Sequence, residues 1–473
     1  MRNLSFVFLS VILTVFVFSS CKKDKLLTDG SAKLSFSTDT LTFDTVFTTL
    51  GSTTEFIRVY NNNNGKVNID EIRLGGGDNS PFKLNIDGLP GNVANDTEIN
   101  GKDSMYIFVA VTVDPTNQNN PIFFIDSIMF QTNGNLQKIY LIAWGQDAHF
   151  FISEEICSQT WVNDKPYVIL NSMAVDSGCT LTIQSGCKIY FGGNSSLFVY
   201  ATGKLIVNGT QTDSVNFRGV RLEDFYDDKA GQWGGIFLLR GSTGNTFNYT
   251  EISNSTFGLS LGSGTQDDFP NLGSFTPSTK AEATIKNSII RNSLLYGIYG
   301  FSSEITAENC LVYNGGDNMV ALGLGGKYIF NHCTFANYGS NYLEHKKAIL
   351  LLSDYAESSN GDNASFPLDV SFKNCIIYGS LDDELDTVKA NSQSNYKFEY
   401  CLLKTERDFN GNPFFENCKK NEDPMFKDRA EDDYHLQDNS PCRDAGVSTS
   451  VTTDLDGFSR DATPDMGCYE YQP

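Results

Sequence analysis

Basic side chains are scarce: 35 lysines and arginines stand against 57 aspartates and glutamates, a formal net charge of −22. A surface of that sign repels phosphate backbones and excludes nucleic acid as a partner. It suits cations, calcium-bridged glycans or plain solubility. Histidine is scarcer still, four in 473 residues, so a catalytic imidazole has few positions to occupy. Beyond residue 20 no run is apolar enough to cross a bilayer as a helix. No helical period organises residues 34–148, which removes helix-bundle classes for that stretch.

The exception to the missing apolar runs lies at the start. Met1-Arg2 is a short basic segment, Leu4 to Phe18 is apolar and uncharged, and Ser19-Ser20-Cys21 follows. The run is shorter than the roughly 20 residues a spanning helix needs, and the pattern is that of a signal peptide over residues 1–20. Phe18-Ser19-Ser20-Cys21 resembles the lipobox of bacterial lipoproteins, though without its usual leading leucine. That resemblance implies lipid on Cys21, a hydrophilic tether over residues 21–33 and attachment to the outer membrane, on its periplasmic or its outer face. Several acyl chains anchor stably where a single chain does not. Lys22-Lys23-Asp24 faintly resembles the charged surface-export tags of Bacteroidetes lipoproteins.

From residue 34 to 148, alternating segments such as Thr54 to Tyr60, Met105 to Val113 and Gln137 to Trp144 are separated by Gly, Asn and Asp turns. β-branched and aromatic residues with period two predict strands, and several strands without helices predict a β-sandwich. "VYNNNNGKVNIDEIRL" and "VAVTVDPTN" resemble strands of the immunoglobulin-like modules of the spindle-associated and hydin type. The resemblance implies a stalk that spaces or presents another domain.

From Pro166 the pattern becomes short apolar triplets about twenty residues apart. A repeat of that length is a solenoid coil, which needs neighbours above and below to bury its inner face. Residues 167–219 resemble the opening coils of right-handed parallel β-helices of the pectate-lyase-like superfamily, with Gly186, Gly203 and Gly209 at corners. A repeated phrase aligns Asn254-Ser255, Asn287-Ser288, Asn309-Cys310, His332-Cys333, Asn374-Cys375 and Tyr400-Cys401, each followed by two apolar or β-branched residues. It predicts that Cys310, Cys333, Cys375 and Cys401 stack as an inward ladder of free thiols below Ser255 and Ser288. Equivalent side chains in coils about 4.8 Å apart point the same way, which disfavours disulfide torsions. Cys157, Cys179, Cys187, Cys418, Cys442 and Cys468 lie outside that ladder. Pairing of Cys179 with Cys187, and of two of the last three, is open to them in an oxidising compartment.

Residues 422–473 resemble the tail at the end of many bacterial β-helix proteins. The match runs through Asp423 to Phe426, Tyr434 to Leu436, Ser440 to Gly446, Asp454 to Gly457 and Asp465 to Tyr471. Such a tail is expected to plug the open end of the solenoid. Asp454-Leu455-Asp456-Gly457 has too few ligands for an EF-hand and reads as a capping turn. The chain as a whole is therefore expected to be all-β: an immunoglobulin-like sandwich over 34–148, a right-handed parallel β-helix over 149–421 and a C-terminal cap over 422–473.

The superfamily holds lyases, hydrolases and many non-enzymes, so fold alone decides no activity. A lyase needs a base beside a uronic carboxylate, and a hydrolase needs paired carboxylates. The best base-bearing cluster is Glu344-His345-Lys346-Lys347 followed by Asp354, with His345, Lys347 and Asp354 as weak catalytic candidates against a solvated charged loop. His149, His332 and His435 read as structural. Acidic loops at Glu223-Asp224, Asp227-Asp228, Asp267-Asp268 and Asp382-Asp383-Glu384 offer calcium or glycan contacts. Asp227, Asp228, Asp382, Asp383 and Glu384 are the metal candidates. Phe225, Tyr226, Trp233, Phe269 and Tyr355 are rings that would stack on sugars if exposed. Six Asp-Ser/Thr-aliphatic triplets, among them Asp103-Ser104-Met105 and Asp213-Ser214-Val215, resemble Bacteroidetes O-glycosylation acceptors. They read equally as turns into strands. Non-enzymatic binding of a glycan or another surface ligand is the preferred expectation, ahead of a polysaccharide lyase or hydrolase and of an adhesin.

Overall fold

A computed structural model describes residues 25–48, 50–114, 122–262, 279–357 and 363–473. The leader, Cys21, Asp267, Asp268 and Phe269 lie outside the described residues. The chain divides into two compact units after Asp147.

In the first unit two sheets share one core. One sheet carries Thr40–Phe47, Lys66–Leu74, Val93–Ile99, Ile122–Thr132 and Asn135–Gln146; the other carries Glu55–Tyr60, Phe82–Ile86 and Ser104–Val111. Alternation decides which side chains meet between them: Ile57 and Val59 face Ile69, Ile72, Ile139 and Leu141 across a dry interior.

The second unit is one 26-stranded sheet wound on itself, parallel throughout, consistent with a right-handed parallel β-helix. Three faces repeat. The first includes Val215–Gly219, Thr250–Ser253, Ile289–Ser293, Leu311–Gly315, Thr334–Asn337 and Ile376–Gly379. The second includes Lys204–Asn208, Asn245–Asn248, Glu282–Lys286, Leu368–Lys373 and Asn395–Glu399. The third includes Gly235–Leu238, Phe257–Leu261, Leu350–Ser353 and Leu385–Val388. Residues such as Val312, Phe335 and Ile377 point inward. A column of rings, Phe330 on Phe372, Phe398 and Phe415, runs up the interior at centroid spacings of 4.7, 5.1 and 5.3 Å.

At the corner between the second and first faces, Asn287, Asn309, His332, Asn374, Tyr400 and Asn417 all have φ between 48° and 52°. Asparagine and histidine tolerate this left-handed bend, which explains the repeated phrase at every corner but Tyr400. Asn254 is not one of them. The register places it opposite Asn292, at the corner that ends the first face, while Thr250 stands above Ser288. The same left-handed asparagine (φ 65°) followed by a serine reproduces the phrase at a different corner, so Ser255 is not part of the cysteine column.

The thiols of Cys310, Cys333, Cys375 and Cys401 are free and buried. Each donates to two carbonyls, one on its own coil and one on the coil before. Cys418 makes the same two contacts, to Glu416 and Phe398, and is a further rung beyond the four expected. The pairing of Cys179 with Cys187 is corrected: Cys179 is bonded to Cys157, and Cys187, Cys418, Cys442 and Cys468 are free. The bonded pair also occupies equivalent positions on adjacent coils, with Cα atoms 4.9 Å apart. Stacking on adjacent coils therefore does not by itself exclude a bridge.

The tail does not plug the solenoid. Phe426, Tyr434, Leu436, Leu455, Met466 and Tyr469 lie against Leu311, Tyr313, Ile376 and Tyr378, the outward side chains of the first face. Those outward positions are apolar, and the tail removes them from water. The last coil is covered instead by Phe409, which stacks on Phe415 at 4.2 Å. Asp454 behaves as a capping turn: its carboxylate accepts from Phe458 N at 2.7 Å and Glu470 N at 2.8 Å.

Candidate functional site

Long loops leave the solenoid where the first face ends, and the tail runs beside them. A cavity of about 610 Å³ opens there, lined by Asp228, Tyr338, Tyr342, His345, Ser380, Arg429 and Asp432 among others. Asp228 comes from the loop after Val215–Gly219, and Tyr338 to His345 from the loop after Thr334–Asn337. Ser380 directly follows Ile376–Gly379, and Arg429 to Asp432 belong to the tail.

Three carboxylates, Asp228, Glu344 and Asp432, line this space. Burial raises the pKa of Asp432, and the nearby Asp228 charge adds to that, while a hydrogen bond from Asn314 at 3.3 Å opposes it. Asp227 is turned away and paired with Arg218 at 2.8 Å. Arg429 lies over the Tyr338 ring at 4.5 Å, and its interaction with the Tyr338 hydroxyl holds the guanidinium protonated. Burial pushes the Tyr338 hydroxyl up to about 12. Lys229 reaches over Phe225 and Tyr342, the latter at 4.9 Å, joining the loops of two coils. Phe225 and Tyr342 are 62% and 51% exposed, the rings best placed to meet a ligand. Trp233, a ring that would stack on sugars only if exposed, is buried in the core on Phe191 at 4.0 Å.

His345 is not part of a solvated charged loop. Its side chain is 2% exposed, with Nδ1 2.9 Å from Ser380 Oγ and Nε2 3.2 Å from Glu384 Oε2. Glu384 is fully buried, and its two oxygens accept from Leu381 N at 2.9 Å and Ile349 N at 3.1 Å. Gly379 makes room for this arrangement: a Cβ there would stand 2.3 Å from Glu384 Oε1 and 2.9 Å from His345 Cε1. Lys347 points elsewhere, to Asp317 at 3.1 Å, on the rim of a second cavity of about 410 Å³.

Asp354 is corrected from a catalytic candidate to a buried anchor. Its oxygens accept from Ala390 N, Asn391 N and Ser394 Oγ at 2.6, 2.9 and 2.6 Å, which fixes the turn after Leu385–Val388. The acidic triplet separates in three directions: Asp382 into solvent, Asp383 to Thr405 Oγ1 at 2.6 Å, and Glu384 into the interior beside His345. Among the described residues no group of three or more His, Cys, Asp or Glu side chains gathers as metal ligands.

Residues 152–327 match the family of pectate-lyase like beta helix domains. No curated protein matches the chain. Among solved structures, a family 123 glycoside hydrolase from Clostridium perfringens, described for glycolipid glycan hydrolysis, is 8% identical with a TM-score of 0.19. That alignment spans 26% of this chain and 30% of the hydrolase, and a similarity of this size carries no argument about activity. The matched stretch contains Asp228 but ends before Tyr338. Most of the cavity wall thus comes from later coils and the tail.

Sequence reading missed Ser380, Arg429 and Asp432. A signal for Ser380 exists in sequence only: Tyr338-Gly339-Ser340 and Tyr378-Gly379-Ser380 repeat one phrase, although the strand register runs Ala336 beside Tyr378 and Asn337 beside Gly379, two residues out of step with it.

Proposed function

We propose that the chain is a lipoprotein anchored by lipid on Cys21 to the outer membrane, and that its β-helix binds a glycan in the cavity beside the tail. The N-terminal sandwich serves as an immunoglobulin-like spacer. The observation that carries this reading is the meeting of the exposed ring of Tyr342 with the acceptors Asp228 and Asp432 and the donor Arg429 around one cavity. Rings stack on the apolar faces of sugars while charged groups take their hydroxyls or uronic carboxylates. Calcium bridging a uronate to Asp228 belongs to the same reading.

The test is glycan-array binding by the soluble chain that begins after Lys25, with calcium and with chelator. Saturable binding that Y342A weakens at least tenfold supports the proposal. A wild-type protein that binds no glycan in either condition refutes it and moves the weight to protein adhesion. A second reading, glycoside hydrolysis, is favoured by Asp432, whose raised pKa beside Asp228 suits a general acid facing a base. New reducing ends, lost in D432N, would replace the binding reading by that one.

A further inference from the structure

We infer that Ser380, His345 and Glu384 form a nucleophile, base and positioning acid for hydrolysis of a carboxylic ester held in the same cavity. The serine hydroxyl is exposed at the cavity wall and lies 2.9 Å from His345 Nδ1, while the buried far ring nitrogen stands 3.2 Å from Glu384 Oε2, within charge contact but not aligned as a hydrogen bond. A buried carboxylate beyond the imidazole favours the proton on Nε2 and leaves Nδ1 free to accept from Ser380. The ring uses the opposite nitrogens from the usual serine-hydrolase arrangement, with the same polarity from acid to base to nucleophile. The orientation of Glu384 is fixed by the backbone N–H groups of Leu381 and Ile349. The orientation of His345 is restricted by Gly379, whose missing side chain leaves room for both partners.

The step balances without a cofactor. Ser380 Oγ bonds to the acyl carbon as its proton moves to His345 Nδ1, and the tetrahedral oxyanion forms beside the cation of Arg429 on the same cavity wall. Collapse breaks the acyl C–O bond, and the departing alkoxide takes the proton from His345. Water, deprotonated by His345, then releases the acid and restores Ser380. The substrate class is a small acyl ester of an alcohol. An O-acetyl substituent on a bound sugar is the form that joins this activity to the glycan reading, although the triad stands without it.

The experiment uses the purified full-length chain and a fluorophosphonate probe that carries no sugar, followed by peptide mapping and by p-nitrophenyl acetate turnover. The expected result is a stoichiometric adduct on Ser380, with adduct and turnover both lost in S380A, which removes only an exposed hydroxyl. E384Q is expected to lower turnover about 10⁴-fold. It should do so through kcat with KM unchanged, a split that a merely structural carboxylate would not produce. An unlabelled Ser380 in the folded wild type, or turnover that survives S380A, overturns the inference. Glycan binding with an unlabelled Ser380 sinks this proposal alone, and labelling without glycan binding sinks only the preceding one.

Discussion

Arg460, in the tail, donates to Asn309 Oδ1 on the solenoid at 2.9 Å. The same guanidinium pairs with Glu470 at 2.5 Å and bonds the carbonyl of Gly467 at 3.0 Å, so one buried side chain joins two parts of the tail to a coil corner. Burial and the charge of Asp465 raise Glu470 to about 7. A carboxyl raised in the folded state contributes stability that is complete below its unfolded value of 4.5 and is lost as pH rises through 7. R460M is therefore expected to destabilise the protein by about 3 kcal/mol at pH 8, where Glu470 is left charged and unpaired. The loss should be smaller at pH 5, where Glu470 is protonated. Urea unfolding at the two pH values measures the difference, and an equal loss at both would contradict it.

His332 gives the opposite slope. It replaces the asparagine found at the same corner of neighbouring coils, lies fully buried against Asn374 at 2.8 Å, and is lowered to about 3 by burial and by Arg460. A base depressed in the folded state contributes stability above its unfolded value of 6.5 that is lost as pH falls towards 3. H332N keeps the corner geometry and removes the titration. Each tenfold change in proton affinity is worth about 1.4 kcal/mol, so H332N should flatten the acid limb of stability between pH 6.5 and 4. Thermal unfolding across that range checks it, and an unchanged slope would assign the acid limb to other groups.

Along the thiol column, Cys375 donates to Phe330 O and Lys373 O and accepts from Cys333 N at 3.5 Å. A hydroxyl can make the same contacts, as Ser288 does with Lys286 O at 2.6 Å. C375S should cost within about 1 kcal/mol, whereas C375V removes the polar atom and should cost about 1–3 kcal/mol. Burial holds the thiols of Cys310 and Cys375 protonated, so neither should react with a thiol reagent until the solenoid unfolds. Rapid native labelling of Cys375 would show that the column opens.

The solenoid was readable because each coil must bury the same inward positions, which writes a period into the chain. The asparagine phrase was readable for a related reason, yet it misplaced Asn254, since two corners of one coil ask for the same left-handed residue. The cavity was much less legible. His345 was singled out for the charges beside it in sequence, but its partners Ser380 and Glu384 lie a coil away and reach it only through stacking. Asp354, close in sequence, is committed to another turn. Lateral placement of the tail was hidden because its motif specifies turns, while the outward residues of the first face decide where it docks.

Gly379 provides a test of whether the geometry around His345 is functional or only well packed. Its alanine Cβ would meet Glu384 Oε1 at 2.3 Å, the Asn337 carbonyl at 2.4 Å and His345 Cε1 at 2.9 Å, so the strand end or the imidazole must shift. Overpacking of this kind costs about 1–3 kcal/mol, a loss that leaves the solenoid folded. A small displacement between nucleophile and base is far more damaging to reactivity than to stability. G379A is therefore expected to keep the circular dichroism of the wild type while labelling of Ser380 falls at least tenfold. Gly193, with nothing within 4 Å of its Cβ position, supplies the control: G193A should change neither quantity. Full Ser380 reactivity in G379A would mean that the close approach of Glu384 and His345 serves packing alone.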